Sequence, residues 1–204
     1  MTHLPTPLTG DLFERLGRAV DREAKIPRAL DALGPTADRD VLVLDGSSSI
    51  PADRIVGTGA RLTLIPATRL EASDATDIDG SADVLVVAWS AFRGPTEAEL
   101  AAAERWLRPG GRLLVLHDYG RDDVSRLFDP RPEYGDWSRR DGPFLGNGFK
   151  IRVVHSWWTF DSIEDTRAFL VEAFGQRGAE LAESLTRPRL SYNVAVYHRS
   201  FGAA

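Results

Sequence analysis

Three short runs limit what this chain can fold into. DVLVLD (40–45), DVLVVAW (83–89) and RLLVLHDY (112–119) are almost wholly apolar and rich in β-branched residues. Antiparallel strands with one wet face alternate apolar and polar residues. Runs that do not alternate read as strands buried on both faces, as in a parallel sheet covered by helices. A weaker run, RLTLI (61–65), lies between the first two. Helical segments separate several of these runs, giving a βαβ rhythm and an α/β fold.

The helices carry their own marks. Phe13, Leu16 and Val20 share one face at helical spacing, as do Ile26, Leu30 and Leu33, with Gly34 and Pro35 closing the second helix. Thr96 and Glu99 form a capping box, in which each side chain accepts from a free backbone N–H at the helix start. Leu100, Ala103 and Leu107 line the face that follows, and Pro109, Gly110 and Gly111 are expected to stop that helix and turn the chain into the next strand. A further helix is expected from near Asp161, with Glu164 three residues on and an apolar stripe of Ile163, Leu170 and Phe174. The tail differs: IRVVHSWW (151–158) and LSYNVAVYH (190–198) are β-like, and the second alternates, with Tyr192, Val194, Val196 and His198 on one face. Such strands suit an antiparallel end of a mixed sheet. The stretch 128–149, rich in Pro, Gly and charge, is expected to be a lid or binding loop.

Composition excludes some functions. There is no cysteine, so disulfides, thiolate metal sites and a thiol nucleophile are excluded. The four histidines show no i, i+3 or i, i+4 spacing, hence no metal pattern. The net charge is −5 and no Lys/Arg run is present to follow a phosphate backbone, so nucleic acid is not the expected partner. No apolar run reaches the roughly 20 residues that span a bilayer, and MTHLPTPLTGDLFERL has no signal core. The expectation is a cytoplasmic protein with one domain over 1–204: leading helices in 1–36 and an α/β core in 37–199.

VLVLDG (41–46), DGSADVLVVAWSAF (79–92) and above all ERWLRPGGRLLVLHDY (104–119) carry a family likeness. Together with the order of elements, they resemble the class I S-adenosylmethionine-dependent methyltransferases over about residues 23–199. The resemblance implies a Rossmann-like fold with a mostly parallel sheet, an antiparallel C-terminal end and helices on both faces. It also implies S-adenosylmethionine as cofactor. In such a site, glycines after the first strand admit the cofactor's methionine portion, because they lack a Cβ. An acid after the second strand accepts from the ribose hydroxyls. Here the motif is degenerate. Gly46 is followed by Ser47, Ser48, Ser49, Ile50 and Pro51, and Pro66 stands where the family shows Asp or Glu.

The resemblance assigns Asp45 and Gly46 to the methionine end and Asp74, with Asp77, to the adenine edge. Ser47 and Ser49 suit a carboxylate or phosphate at a helix start, although capping is the ordinary role of serine there. Trp89 and Ser90 follow the family's fourth strand, where ligands sit; Trp89 can stack on a ring or fill a core. His117, Asp118 and Tyr119 leave the next strand. A histidine beside a carboxylate near a cleft is a candidate general base, but neighbours on a strand point to opposite faces. His155, Trp157, Trp158 and Phe160 line a ring-rich strand end that suits a pocket or, more ordinarily, packing.

Two functions follow. One is a methyltransferase acting on a small molecule. The other is a non-catalytic relative that has lost cofactor binding and serves as an interaction module, pairing with itself or with another protein; an exposed apolar surface near Trp157 and Trp158 would favour it. A dehydrogenase is disfavoured, because no G-x-G-x-x-G follows the first strand.

Overall fold

The computed structural model describes residues 8–44, 56, 59–70, 77–89 and 92–202. Six strands form one sheet: β1 (Asp40–Leu44), β2 (Arg61–Ile65), β3 (Ala82–Ala88), β4 (Leu107–Asp118), β5 (Lys150–Thr159) and β6 (Arg189–Ser200). Their order across the sheet is β2-β1-β3-β4-β6-β5. β1 pairs in parallel with β2 and β3, and β3 with β4. β6 runs antiparallel between β4 and β5. The parallel core with an antiparallel C-terminal end is thus the one the apolar runs and the alternating tail imply.

The parallel strands carry a side-chain period of two into two cores. Val41, Val43, Val84, Val86, Leu114 and Leu116 pack with α1 (Gly10–Ala19), α2 (Lys25–Leu33) and α5 (Ile163–Ser184). Leu42, Leu44, Leu85, Val87, Leu113 and Val115 pack with α3 (Glu97–Trp106) and α4 (Pro132–Trp137) on the other face. Among the described residues no helix is long and apolar enough to cross a membrane.

Both halves of the Thr96–Glu99 capping box are made. Some local expectations shift. Phe13 stays 41% exposed, while Leu16 and Ala19 are buried. Leu107 does not extend the face of α3 but opens β4. Residues 108–111 loop out between the pairings Ala82–Leu107 and Val84–Arg112. Gly111 permits this, because a Cβ there would stand 2.8 Å from the Arg108 carbonyl oxygen. The cap of α5 is Ser162, accepting from the Asp165 N–H, one residue later than the Asp161–Glu164 pair suggests. The chain then turns inside α5 at Gly175, whose φ is 56°.

Two polar arrangements hold the frame. Asp21, 3% exposed, accepts from the backbone N–H groups of Lys25 and Ile26 and from the Ser156 hydroxyl, so it caps α2 and ties it to β5. At the amino ends of the strands, Asp40 accepts from Arg61 and Arg108, and Asp83 accepts from the Asp40 N–H and pairs with Arg108. The Arg61 hydrogen bond, then that of Arg108, holds the Asp40 carboxyl at about 2. Asp83 orders the entry to the sheet, and this network lies at the end of the strands opposite the site.

Candidate functional site

The strand order reverses at β1: its successor β2 lies on one side and β3 on the other. In open α/β sheets, ligands enter the crevice beyond the carboxyl ends of the strands at such a switch point. Leu44, Ala88 and Asp118 are the last residues of β1, β3 and β4 at that edge. Three residues nearby, Trp89, Phe92 and Arg121, hold left-handed backbone with φ of 54°, 56° and 58°. Bulky residues seldom adopt that region, and such strain gathers at functional sites.

Asp118 is the electrostatic centre of this edge. Its Oδ1 accepts from the Trp89 indole N–H at 3.0 Å and from the Tyr192 hydroxyl at 2.7 Å. Its Oδ2 has the Tyr134 hydroxyl at 3.5 Å. Burial pushes the Asp118 carboxyl up, against the pull of the Tyr192 and Trp89 hydrogen bonds. Burial, then the Asp118 charge, pushes the Tyr192 hydroxyl well above its ordinary value, so Tyr192 remains a donor.

A cavity of about 240 Å³ opens beside this carboxylate, lined by Asp118, Tyr119, Asp122, Phe128, Tyr134 and Tyr192 among others. Asp122 accepts from the backbone N–H groups of Ser125 and Asn193. Burial also pushes its carboxyl up.

Residues between Phe128 and Ser138 form one wall of the cavity, and the rest of the stretch to 149 packs behind them. The stretch is folded: Tyr134 and Gly135 of α4, with Ser138 just beyond, line the cavity. Trp137, Phe144 and Phe149 sink into the second core. Phe144 stacks on Tyr197 with centroids 4.0 Å apart. Arg93 anchors α4 to the loop after β3, pairing with Glu133 at 3.0 Å and lying over the Trp137 ring.

The structure therefore separates the residues that adjacency in sequence had grouped. Asp118 and Tyr119 line the cavity. His117 points to the other face, 2% exposed, its Nε2 3.0 Å from the Phe92 carbonyl oxygen and its ring 4.6 Å from that of Trp137. Trp89 is buried in the first core with its indole N–H on Asp118. Asp77 pairs with Arg69. Asp45, Gly46, Ser47, Ser49, Asp74 and Ser90 lie outside the described residues. Trp158 is in the core at 1% exposure, and Trp157 is half-buried under Arg189 at 4.2 Å, so the two tryptophans form no bare apolar surface. Tyr134 falls in the 128–149 stretch read as a lid or binding loop, whereas Tyr192 and Asp122 are absent from the sequence-based candidates. No motif marks them; only the alternation in β6, which puts Tyr192 on the same face as Val194, hints at one of them.

Neither a protein-family model nor a curated protein matches this sequence. Solved structures do. A protein from Anaeromyxobacter dehalogenans, whose name assigns it to the type II methyltransferases, matches 87% of this chain and 98% of its own at 18% identity and a TM-score of 0.51. The fold is that of the class I methyltransferases. Two other matches with this fold are looser. The YcgJ protein of Bacillus subtilis is 12% identical over 90% of this chain and all of its own, with a TM-score of 0.48. A Bacillus halodurans protein named as a methyltransferase is 9% identical over 88% of this chain and all of its own, at 0.45. The strand residues that line the cavity are Asp118, at the carboxyl end of β4, and Tyr192 of β6.

Proposed function

We propose that this protein transfers a methyl group from S-adenosylmethionine to a small molecule held in the cavity beside Asp118. The observation that carries the reading is the cavity itself, set at the carboxyl end of β4 in a sheet whose parallel strands present their carboxyl ends to the same edge. When bound, S-adenosylmethionine supplies an activated methyl group. Asp45, Gly46, Ser47 and Ser49 after β1, with Asp74, Trp89 and Ser90, are the residues proposed to hold it. Of these, Trp89 is described, and its indole N–H is committed to Asp118, which leaves the ring faces for packing.

Transfer of a methyl group is an in-line displacement, in which orientation supplies much of the rate. The chain's own part is thus to bind and align the acceptor. Tyr119, Tyr134 and Phe128 give it an apolar wall, and Asp118 gives it a fixed polar contact. His117 lies on the far side of β4, with its Nε2 at the Phe92 carbonyl and its ring against Trp137 and Phe144.

One observation favours a second reading, a methyltransferase fold without cofactor. Among the described residues beyond β2, none offers an unengaged carboxylate to the ribose: Pro66 stands first, and Asp77 is paired with Arg69. Thermal unfolding with S-adenosylmethionine and S-adenosylhomocysteine separates the two. Ligand at a hundred-fold excess over Kd stabilises by roughly 2.7 kcal/mol. At about 2–4 °C per kcal/mol, the midpoint rises roughly 5–10 °C. No shift at millimolar ligand overturns the methyltransferase reading in favour of the second.

A further inference from the structure

The charges around the cavity are not evenly disposed. Asp118 and Asp122 are half-buried, whereas Arg121 is exposed and lies over the Tyr119 ring at 5.6 Å. Arg131, also in the lining, pairs with Glu133 at 3.8 Å. Asp129 at the rim is taken by Arg177 at 2.6 Å. The inner charge is therefore acidic, and the basic groups have partners at the mouth.

Asp118 also has acceptor capacity to spare. An ionised carboxylate offers about four lone-pair sites. Two donors at 3.0 and 2.7 Å sit on Oδ1, while among the described residues Oδ2 has only the Tyr134 hydroxyl at 3.5 Å, the outer limit of a hydrogen bond. The cavity that Asp118 lines is also walled by Tyr119, Phe128 and Tyr134, of which Tyr119 already carries the Arg121 guanidinium on its ring. Aromatic faces attract cations, and they do so more strongly where water is excluded.

We propose that the cavity beside Asp118 is an ammonium site, taking a small amine whose cationic head pairs with Oδ2 and whose compact body lies against these rings. The volume of about 240 Å³ lies under the roughly 300–1,000 Å³ of pockets for drug-sized ligands, so the amine is small. Burial pushes both carboxyls up, and a cation bound at Oδ2 favours the ionised form that burial opposes. Naming this amine as the methyl acceptor rests on the methyltransferase reading, in which the ammonium gives a proton to the Asp118 carboxylate before its freed lone pair takes the methyl group and S-adenosylhomocysteine leaves; binding needs neither step.

The test is titration calorimetry of the full chain at pH 7 with 2-phenylethylamine, the isosteric 2-phenylethanol, and phenylacetate. One charge-assisted hydrogen bond predicts that the amine binds about ten- to a hundred-fold more tightly than the alcohol. Asp118→Asn keeps an oxygen for Trp89 and Tyr192 and is expected to bring that ratio close to one. Tyr134→Phe leaves the carboxylate in place and is expected to keep the preference. Equal affinity for amine and alcohol, preference for phenylacetate, or no amine binding at millimolar concentration overturns the proposal. These comparisons use the unaltered protein, so they stand even if Asp118→Asn fails to fold. A preference that survives in a folded Asp118→Asn protein also overturns it. None of the titrations contains S-adenosylmethionine, so failure of the cofactor to bind is a separate result.

Discussion

Gly135 lines the cavity and Gly142 lies seven residues further on, in the segment behind that wall; alanine at the two should act in opposite directions. Gly142 is buried. A Cβ there would stand 2.1 Å from the Asp136 carbonyl oxygen and 3.0 Å from that of Arg139. Ordinary contact requires more than 3 Å, so one strand of backbone must move by about 1 Å. Neither neighbour is a flexible side-chain tip. Overpacking of this kind costs typically about 1–3 kcal/mol, and a backbone clash belongs at the upper end. For a chain of this size, about 3 kcal/mol lowers the unfolding midpoint by roughly 6–12 °C. The disturbed segment joins Trp137 to Phe144, both buried, so the wall should loosen with it. Gly135, within α4, has nothing within 4 Å of its would-be Cβ and no left-handed φ. Alanine there restricts the unfolded chain and favours the helix, for a gain of about 0.5–1 kcal/mol. Thermal unfolding followed by circular dichroism gives both midpoints, and tryptophan fluorescence reports on Trp137. A Gly142→Ala protein within 1–2 °C of the wild type, a margin well inside the expected fall of roughly 6–12 °C, would refute the account of how this wall is packed.

Two further outcomes follow from the polar groups. Asp118 has its carboxyl pushed up by burial, so its protonated form is favoured in the folded state. The stability linked to it is fully present below the ordinary Asp value of about 3.9 and is lost as pH rises through the folded value. The midpoint of Asp118→Asn relative to wild type should therefore increase with pH between 4 and 7.5, and a constant difference across that range counts against the assignment. Asp21→Ala strips two N–H groups of α2 and the buried Ser156 hydroxyl of their acceptor. Loss of the cap and of a buried hydrogen bond should cost roughly 2–4 kcal/mol. That is a fall of at least about 4 °C in the unfolding midpoint.

Much of the frame is readable from local pattern. The non-alternating runs that became β1, β3 and β4 mark strands covered on both faces, and the alternating 190–198 run marks the antiparallel β6. The capping box at Thr96 is read from two residues three apart. Other features are local yet misleading. Pro109-Gly110-Gly111 reads as a helix stop, but the chain already leaves α3 at Leu107 and spends the glycines on a loop within β4. Phe13 has the spacing of a core residue, and α1 nonetheless buries Leu16 and Ala19 and leaves it out. Helical spacing defines a face, but only the neighbouring elements decide how wide a stripe of it is covered.

The site is where sequence reasoning reaches least far. His117, Asp118 and Tyr119 stand together in the chain, and strand geometry sends His117 to the far face. The residues that do meet Asp118 are Trp89, Tyr134 and Tyr192, separated from it by 29, 16 and 74 positions. By itself, the sequence determined the class of sheet, the positions of its buried strands and the best of its helix caps. Each of those depends on periodicity or on contacts a few residues apart, which local steric and hydrogen-bonding rules govern. Only the tertiary structure decided that a half-buried carboxylate would meet an indole and two phenols, with a small cavity beside it. Such a constellation depends on which distant segments pack side by side, and no spacing along the chain encodes that.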